Sequence, residues 1–440
     1  MKNGKLEQLM EGYVASDHFN GTVLVVKKGM VMLEKGYGYR NIAQQIKNDE
    51  HTVFRIGRVT EAFTSEIIVK LDSKAMLGLE DRLSKYVQGF PLAEKITIKQ
   101  LLAHTSGVQW YVPDTAVQRN GVCRPMNMLT FNEAYRGKQL SFEPGSRYEY
   151  SNADYILLGF VIERMSRVHY DDEVDDKIFK VCAMKHSGYE FFGLKDEHKA
   201  TGYFFEGGDK YTAVKTTGDT GILFSVEGMY STVGDLYKWH QALHHYRLLP
   251  EDWQGLAYTP VKNQYALGWY IDKTGNRKYM INGGSYAGFT STVIRDEEDD
   301  LFIAVLENKM QQGYSNTGIA KGLLKSVLGM DQKKEDKKAD GKPDKKEDKK
   351  EVMPDPATYK KYVGEFLFNE KYLLIFSIKN NELIAASVVN NTIQMIPEGG
   401  NTFKTGASDA RVEFMPDKHG VVNKAILHQS GQNFTGTRVK

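Results

Sequence analysis

The run "DQKKEDKKADGKPDKKEDKKEVMPDP", Asp331 to Pro356, constrains the fold more than any other stretch. It alternates lysine with acid, offers few apolar side chains and has no face to bury. Such a segment cannot offset the entropy of ordering itself. It reads as a solvated linker over 331–356, with one folding unit at 1–330 and a second at 357–440. The longer flank has ample length for a large core.

Hydrophobic periodicity sets the class of the first unit. "GTVLVVKKGMVMLEKGYGY" reads as a hairpin turning at Lys28 and Gly29. Near the other end, "TSTVIRDEEDDLFIAVLEN" reads as two strands around a solvated acidic turn, Asp296 to Asp300. That turn lacks the spaced oxygen ligands and central glycine of a calcium loop. Helical patterns lie between: Phe63, Ile67 and Leu71 recur every four residues, and Ile156, Phe160 and Met165 follow a similar stripe. In "STVGDLYKWHQAL", Thr232 is placed as an N-cap with Asp235 three residues on. Strands at both ends with helices between them predict an α+β unit, its sheet closed by pairing of the first and last strands. After the linker, "YVGEFLF", "YLLIFSIKNNELIAASVV" and "NKAILHQSGQNFTGTRV" alternate over short runs, which predicts a small all-β meander or barrel.

Composition excludes several classes of function. A formal charge of +2 gives no reason to expect nucleic acid as a partner. No run of about 18 apolar residues exists to span a membrane. The opening "MKNGKLEQLMEGYV" has amphipathic helical spacing and is not a signal peptide. As written the chain reads as cytoplasmic, and a periplasmic or extracellular protein trimmed of its export signal would read alike. Cys123 and Cys182 are too few for a disulfide framework; two buried thiols or one pair fit them. No cluster of histidine, cysteine or carboxylate has ligand spacing, so neither a metal nor an organic cofactor is implied.

Four stretches gather the residue types that carry chemistry. "FRIGRVTEAFTSEII" leads an apolar strand through a glycine turn into a helix whose first turn holds Arg58 and Glu61. "LLAHTSGV" ends a helix at a turn containing His104 and Ser106. "FEPGSRYEYSNADYILLG" places Tyr150 and Asn152 just before a helix, and "INGGSYAGFTSTVIRD" is a glycine-rich strand entrance.

In this order and spacing the stretches resemble the serine β-lactamase and penicillin-binding-protein superfamily, in its class C β-lactamase, D-alanyl-D-alanine carboxypeptidase and family VIII esterase branch. The resemblance runs from Phe19 to Leu328 and includes "GMYSTVGDLYKW" and "YALGWYI". It implies an antiparallel sheet with packed helices; the second unit resembles the lipocalin-like module attached to some of these proteins. The family's first motif is Ser-x-x-Lys, whose serine attacks a carbonyl while the lysine helps take its proton. Here the serine position is Arg58 and the lysine position Glu61. The Tyr-x-Asn motif is intact as Tyr150 and Asn152. The Lys-Thr-Gly or His-x-Gly strand places Asn282 at the histidine position, with Gly283, Gly284 and Ser285 beside the ligand cleft.

An arginine is no nucleophile, because it keeps its proton in a protein. Arg58 and Glu61 stand three apart and are expected to pair on the helix surface. No acyl-enzyme chemistry is expected at position 58, and of three functions the first is the expected one. One is a binding pseudoenzyme whose cleft takes a small molecule or a peptide, cell-wall fragments included. Another is an active β-lactamase, esterase or D-peptidase, through Ser65, Ser106, Ser151 or the "TAVK" stretch Thr212 to Lys215, or in a parent chain with serine and lysine at 58 and 61. The last gives Glu61 the part of a general base beside Tyr150. His104 reads as a structural histidine at a helix end.

Overall fold

The apolar runs around Lys28 and Gly29 form the expected hairpin, both turn residues taking positive φ (52° and 71°) as a two-residue type I′ turn requires. The computed structural model describes residues 4–111, 127–206, 210–214, 224–274, 277–311, 314–330, 356–368, 372–379, 382–387, 392–405, 411–429 and 432–439. Cys123, Lys215, the Asn380–Asn381 turn and residues 331–355 of the expected linker lie outside these. The chain divides into two compact units, Met1–Met310 with Asn316–Gln332, and Gln311–Ser315 with Lys333–Lys440.

In the first unit, six strands form one antiparallel sheet: β1 (Gly21–Lys27), β2 (Met30–Tyr37), β3 (Tyr270–Thr274), β4 (Arg277–Tyr286), β5 (Phe289–Asp296) and β6 (Leu301–Glu307). Their order is β2-β1-β6-β5-β4-β3, so the first and last strands of the unit's sheet pair as predicted, Gly21 opposite Glu307 and Lys27 opposite Leu301. The two central strands β5 and β6 are buried along their whole length, which is why "LFIAVL" is an unbroken apolar run before Glu307.

Alternation along each strand sorts side chains to two cores. Val23, Val25, Ile303 and Val305 join Leu6 and Met10 of helix α1 (Gly4–Asp17). Leu24, Val26, Phe302 and Ala304 face the larger core, with α2 (Val59–Ser73), α3 (Asn152–Ser166), α4 (Phe224–Glu227) and α5 (Val233–His244). The C-terminal helix α6 (Thr317–Val327) lies on α1's side of the sheet, through Ile319 and Leu323. Phe63, Ile67 and Leu71 fall on α2 and are buried, and Thr232 Oγ1 accepts from Asp235 N at 3.1 Å, capping α5.

One expectation needs correcting. The acidic turn is not simply solvated: Asp296 is buried, Asp299 meets Lys27 Nζ at 3.1 Å and Arg277, and Asp300 meets His240 Nε2 at 3.0 Å. Strands β1 and β4 and helix α5 bring cations and an imidazole to it from different parts of the chain, which local sequence does not reveal.

The second unit is a closed antiparallel barrel of eight strands: β7 (Gly364–Phe368), β8 (Tyr372–Lys379), β9 (Glu382–Ser387), β10 (Thr392–Gly399), β11 (Thr402–Thr405), β12 (Arg411–Pro416), β13 (Val422–Gln429) and β14 (Gln432–Arg438). β14 returns to β7 and leaves no edge. Its core includes Tyr362, Phe366, Phe376, Phe403 and Phe414. Among the described residues, no helix is long and apolar enough to cross a membrane.

Candidate functional site

Helix α2 is buried on nearly every side, so even its polar residues are enclosed, Glu61 at 1% exposure. Arg58 occupies its N-cap without capping it through the side chain. Cγ and Cδ of Arg58 lie against Gly284 of β4, where a β-carbon would stand 2.8 and 2.9 Å from them. The guanidinium is 4.3 Å from the centre of the Tyr150 ring, and Nε is 3.5 Å from Glu227 Oε1. Thr64 Oγ1 of α2 donates to Ser225 O, and Ser225 Oγ donates to Tyr155 O of α3, at 2.7 and 2.8 Å. These bonds fix the short helix α4, which carries Glu227.

The pairing expected of Arg58 and Glu61 is therefore not what forms. Arg58 takes Glu227, while Glu61 turns inward. Tyr150 donates its phenolic hydrogen to Glu61 Oε1 at 2.6 Å, and Glu61 Oε2 is 3.7 Å from His104 Nε2. The rule for neighbours three apart holds for exposed helix surfaces, and α2 has almost none here.

His104 extends the polar path inward. Its Nδ1 lies 3.0 Å from Asp154 Oδ2, and Ser106 donates to the other Asp154 oxygen. The residue adopts φ 51°, in the left-handed region, and its carbonyl accepts from Glu149 N at 2.9 Å, which pins the segment carrying Tyr150. Rings of Tyr148, Tyr150, Tyr155 and Tyr265 surround the imidazole at 6.1, 4.5, 5.1 and 5.0 Å.

Burial and charge set the protonation of this group. Burial alone would depress His104, but its bonds to Asp154 and Glu61 outweigh that and raise its pKa. Burial pushes Asp154 up to about 6 against the pull of His104, and Glu227 up to about 7 against the charge of Arg58. Burial, and then the charge of Glu61, push Tyr150 well above the ordinary phenol value, Arg58 opposing. Tyr150 is thus held as a neutral donor.

The remaining expected residues lie differently. Asn152 spends its amide on the backbone of Tyr111, accepting from N at 2.8 Å and donating to O at 3.0 Å. Asn282 donates to Gly268 O at 2.7 Å. Gly284 faces Arg58, whereas a β-carbon on Gly283 would meet Ser291 O of β5 at 2.4 Å, and Ser285 Oγ is 3.0 Å from Thr290 Oγ1. Of the alternative hydroxyls, Ser65 donates to Leu267 O at 2.8 Å, Ser106 is held by Asp154, and Ser151 is buried. Thr212 bonds Glu206 on an exposed strand, and its Lys215 lies outside the described residues.

Sequence reasoning missed Glu227 and Asp154 altogether and missed the contact of His104 with Glu61. Asp154 stood within a quoted stretch, two residues beyond Asn152, and "HTSG" before it was the available signal; nothing in spacing ties Glu227 to Arg58.

The profile of the family described as Beta-lactamase matches residues 6–324. The chain belongs to the beta-lactamase family. Within it, the chain is 30% identical over 321 residues to protein flp of Staphylococcus aureus strain MW2, covering 69% of this chain and 62% of that one. It thus spans less than two thirds of that relative's length. Penicillin-binding protein 4* of Bacillus subtilis strain 168 is 24% identical, over 100% of this chain and 99% of its own. Among solved structures, the penicillin-binding protein from Bacillus halodurans superposes with a TM-score of 0.63 at 25% identity, over 75% of this chain and 100% of that one. The octameric penicillin-binding protein homologue from Pyrococcus abyssi gives 0.67 at 22% identity, over 99% and 100%, and shows a shared fold across both units.

Proposed function

We propose that this beta-lactamase-family chain binds a ligand at the Arg58 site and forms no acyl-enzyme there. The observation that carries this reading is the packing of Arg58 itself. Its side chain fills the space between Gly284 and the Tyr150 ring, at the position where family resemblance places the attacking serine. A guanidinium keeps its proton and offers no lone pair to a carbonyl.

The proton machinery points the same way. A tyrosine that shuttles protons must give one up, whereas Tyr150 donates to Glu61, which with burial holds its pKa high. Glu61 is itself engaged by Tyr150 on one oxygen and faces His104 with the other, which weighs against a general base acting on water. Ser65 and Ser106 are enclosed and bonded elsewhere. What the fold retains is a site with a half-exposed cation beside aromatic rings, suited to holding a small molecule or a peptide, cell-wall fragments among them.

The test is hydrolysis of a chromogenic cephalosporin and a p-nitrophenyl ester, with fluorophosphonate labelling in parallel. It is applied to the protein as it stands and to the Arg58→Ser, Glu61→Lys double variant. Silence in the first and labelling in the second is expected. Turnover by the unaltered protein would overturn the reading, and the labelled peptide would identify the nucleophile.

A further inference from the structure

We infer that the Arg58 site recognises the free carboxylate of its ligand, so that the protein takes up the acid an amide or ester hydrolysis leaves and rejects the amide or ester. The inference rests on the preceding reading of position 58 as an occupied, non-nucleophilic site.

Geometry supports it first. The aliphatic stem of Arg58 is packed on Gly284 and its Nε is buried beside Glu227, yet 36% of the side chain stays exposed. That exposure therefore falls on the outer guanidinium edge. The guanidinium carbon lies 4.3 Å from the centre of the Tyr150 ring, which holds the cation against that ring while its outer N–H groups remain open to a ligand. A carboxylate matches such a fork with two charge-assisted bonds. A primary amide can accept from one arm of the fork through its carbonyl oxygen, but it sets its NH2 donor against the other arm or leaves that arm unpaired. An ester offers one neutral acceptor. A site that must pair a buried or half-buried donor discriminates strongly against partners that leave it unpaired.

The surroundings suit a ligand with an apolar body. Trp110 is 47% exposed, and its ring lies 5.4 Å from that of Tyr150, so exposed aromatic surface continues from the ring that Arg58 packs on.

Glu227 is the internal competitor for Arg58. The groups acting on it are Arg58 and Glu61 from α2, Arg55 from the strand Phe54–Arg55, and Tyr150 across the site. One cation shared by an incoming carboxylate and Glu227 cannot satisfy two negative charges, so one of them must be neutralised. Glu227 is poised to take up that proton, since burial already holds its pKa at about 7. Binding the acid is then coupled to protonation of Glu227, and affinity falls as pH rises through that value.

The experiment is calorimetric titration of the full chain with N-acetyl-alanyl-alanine and with its carboxamide, in both the L,L and D,D forms, at pH 6 and pH 8. The acid is expected to bind at pH 6 and to weaken about ten-fold at pH 8, the change in protonated fraction of a group with that pKa. The carboxamide is expected to bind at least ten-fold more weakly than the acid. Arg58→Ala should abolish acid binding while the protein keeps its unfolding transition, and Glu227→Gln should remove the pH dependence while binding persists. Equal affinity for acid and carboxamide, acid binding that survives Arg58→Ala, or no binding of either probe overturns the inference. Each of these leaves the lack of acyl-enzyme chemistry intact, whereas ester turnover by the unaltered protein would sink that earlier reading.

Discussion

Glu61 Oε2 lies 3.7 Å from His104 Nε2, with neither side chain reaching solvent. At the position where family resemblance places a lysine the chain carries this carboxylate, and the group beside it is an imidazole. Asp154 backs that imidazole from its other side, and four tyrosine rings close around it. The site thus has a charge-paired interior built from Glu61, His104 and Asp154.

A lysine introduced at position 61 alone is expected to destabilise this interior. Glu61→Lys puts an ammonium against a histidine already inclined to be protonated, leaving two like charges buried together. The cost should be about 3–5 kcal/mol, against about 1–3 kcal/mol for Glu61→Gln, which removes one charge without inverting it. Urea unfolding at pH 6 measures both. The sign of the pH dependence follows from the raised His104 pKa. Stability from its charged form is complete below the unfolded value and is lost as pH rises through the folded one, so both penalties should shrink as pH rises through that folded value. Equal stability of the two variants at pH 6 would mean that His104 is not the cation of the site.

A second buried carboxylate on the same helix gives a pH signature away from the site. Glu66 accepts from Trp239 Nε1 at 2.7 Å, and burial lifts its pKa from 4.5 to about 7, the indole bond opposing. The folded state therefore holds a proton that the unfolded state has released between those values, and stability falls as pH rises across that window. The full penalty above it is on the order of 3 kcal/mol. Glu66→Gln keeps an acceptor for Trp239 and cannot ionise. Relative to the parent, the variant should gain about 2–3 kcal/mol between pH 5 and pH 8 in denaturant melts. A gap that stays constant with pH would show that Glu66 titrates normally.

Gly283 and Gly284 are neighbours with opposite surroundings, and their alanine variants should part accordingly. At Gly284 the added carbon meets the side chain of Arg58, which can swing aside; at Gly283 it meets Ser291 O at 2.4 Å and Thr292 Cα at 3.0 Å, which are backbone. Gly284→Ala should cost about 1 kcal/mol, while Gly283→Ala should cost more than about 3 kcal/mol or prevent folding. Thermal unfolding of the two purified variants decides it, and the reverse order would place Arg58 elsewhere than against β4.

These cases show what the sequence could disclose. Periodicity and turn chemistry marked the hairpin at Lys28–Gly29, the stripe on α2 and the cap at Thr232, because each depends on residues close together in the chain or on a repeating pattern; the pairing of β1 with β6 followed instead from the order of strands and helices along the chain. The site was legible only in part. The motifs singled out Arg58, Glu61 and Tyr150, which the fold brings together, yet the partner assigned to Arg58 was the wrong carboxylate. Proximity along a helix favoured Glu61; the enclosure of α2 by α3 and α4 favoured Glu227, and that enclosure is a property of packing. The contact of His104 with Asp154, fifty residues away, is likewise set by how a helix end meets the start of α3.

The C-terminal barrel offers a test of the division into two units. Phe414 is 1% exposed and its ring meets those of Tyr362, Phe376, Phe366 and Phe403 at 4.5, 4.9, 5.7 and 5.8 Å. An eight-stranded barrel is just wide enough for side chains to fill, and here aromatic rings from several strands meet in its core. Phe414→Ala should cost about 3–5 kcal/mol, since a cavity of that size in a rigid closed barrel cannot collapse. If residues 357–440 fold apart from 1–330, calorimetry will resolve two transitions and only one will move. The intrinsic fluorescence of Trp239 and Trp269, buried in the first unit and stacked 5.6 Å apart, reports the other transition independently. A fluorescence transition that shifts with the barrel would show that the two units unfold as one.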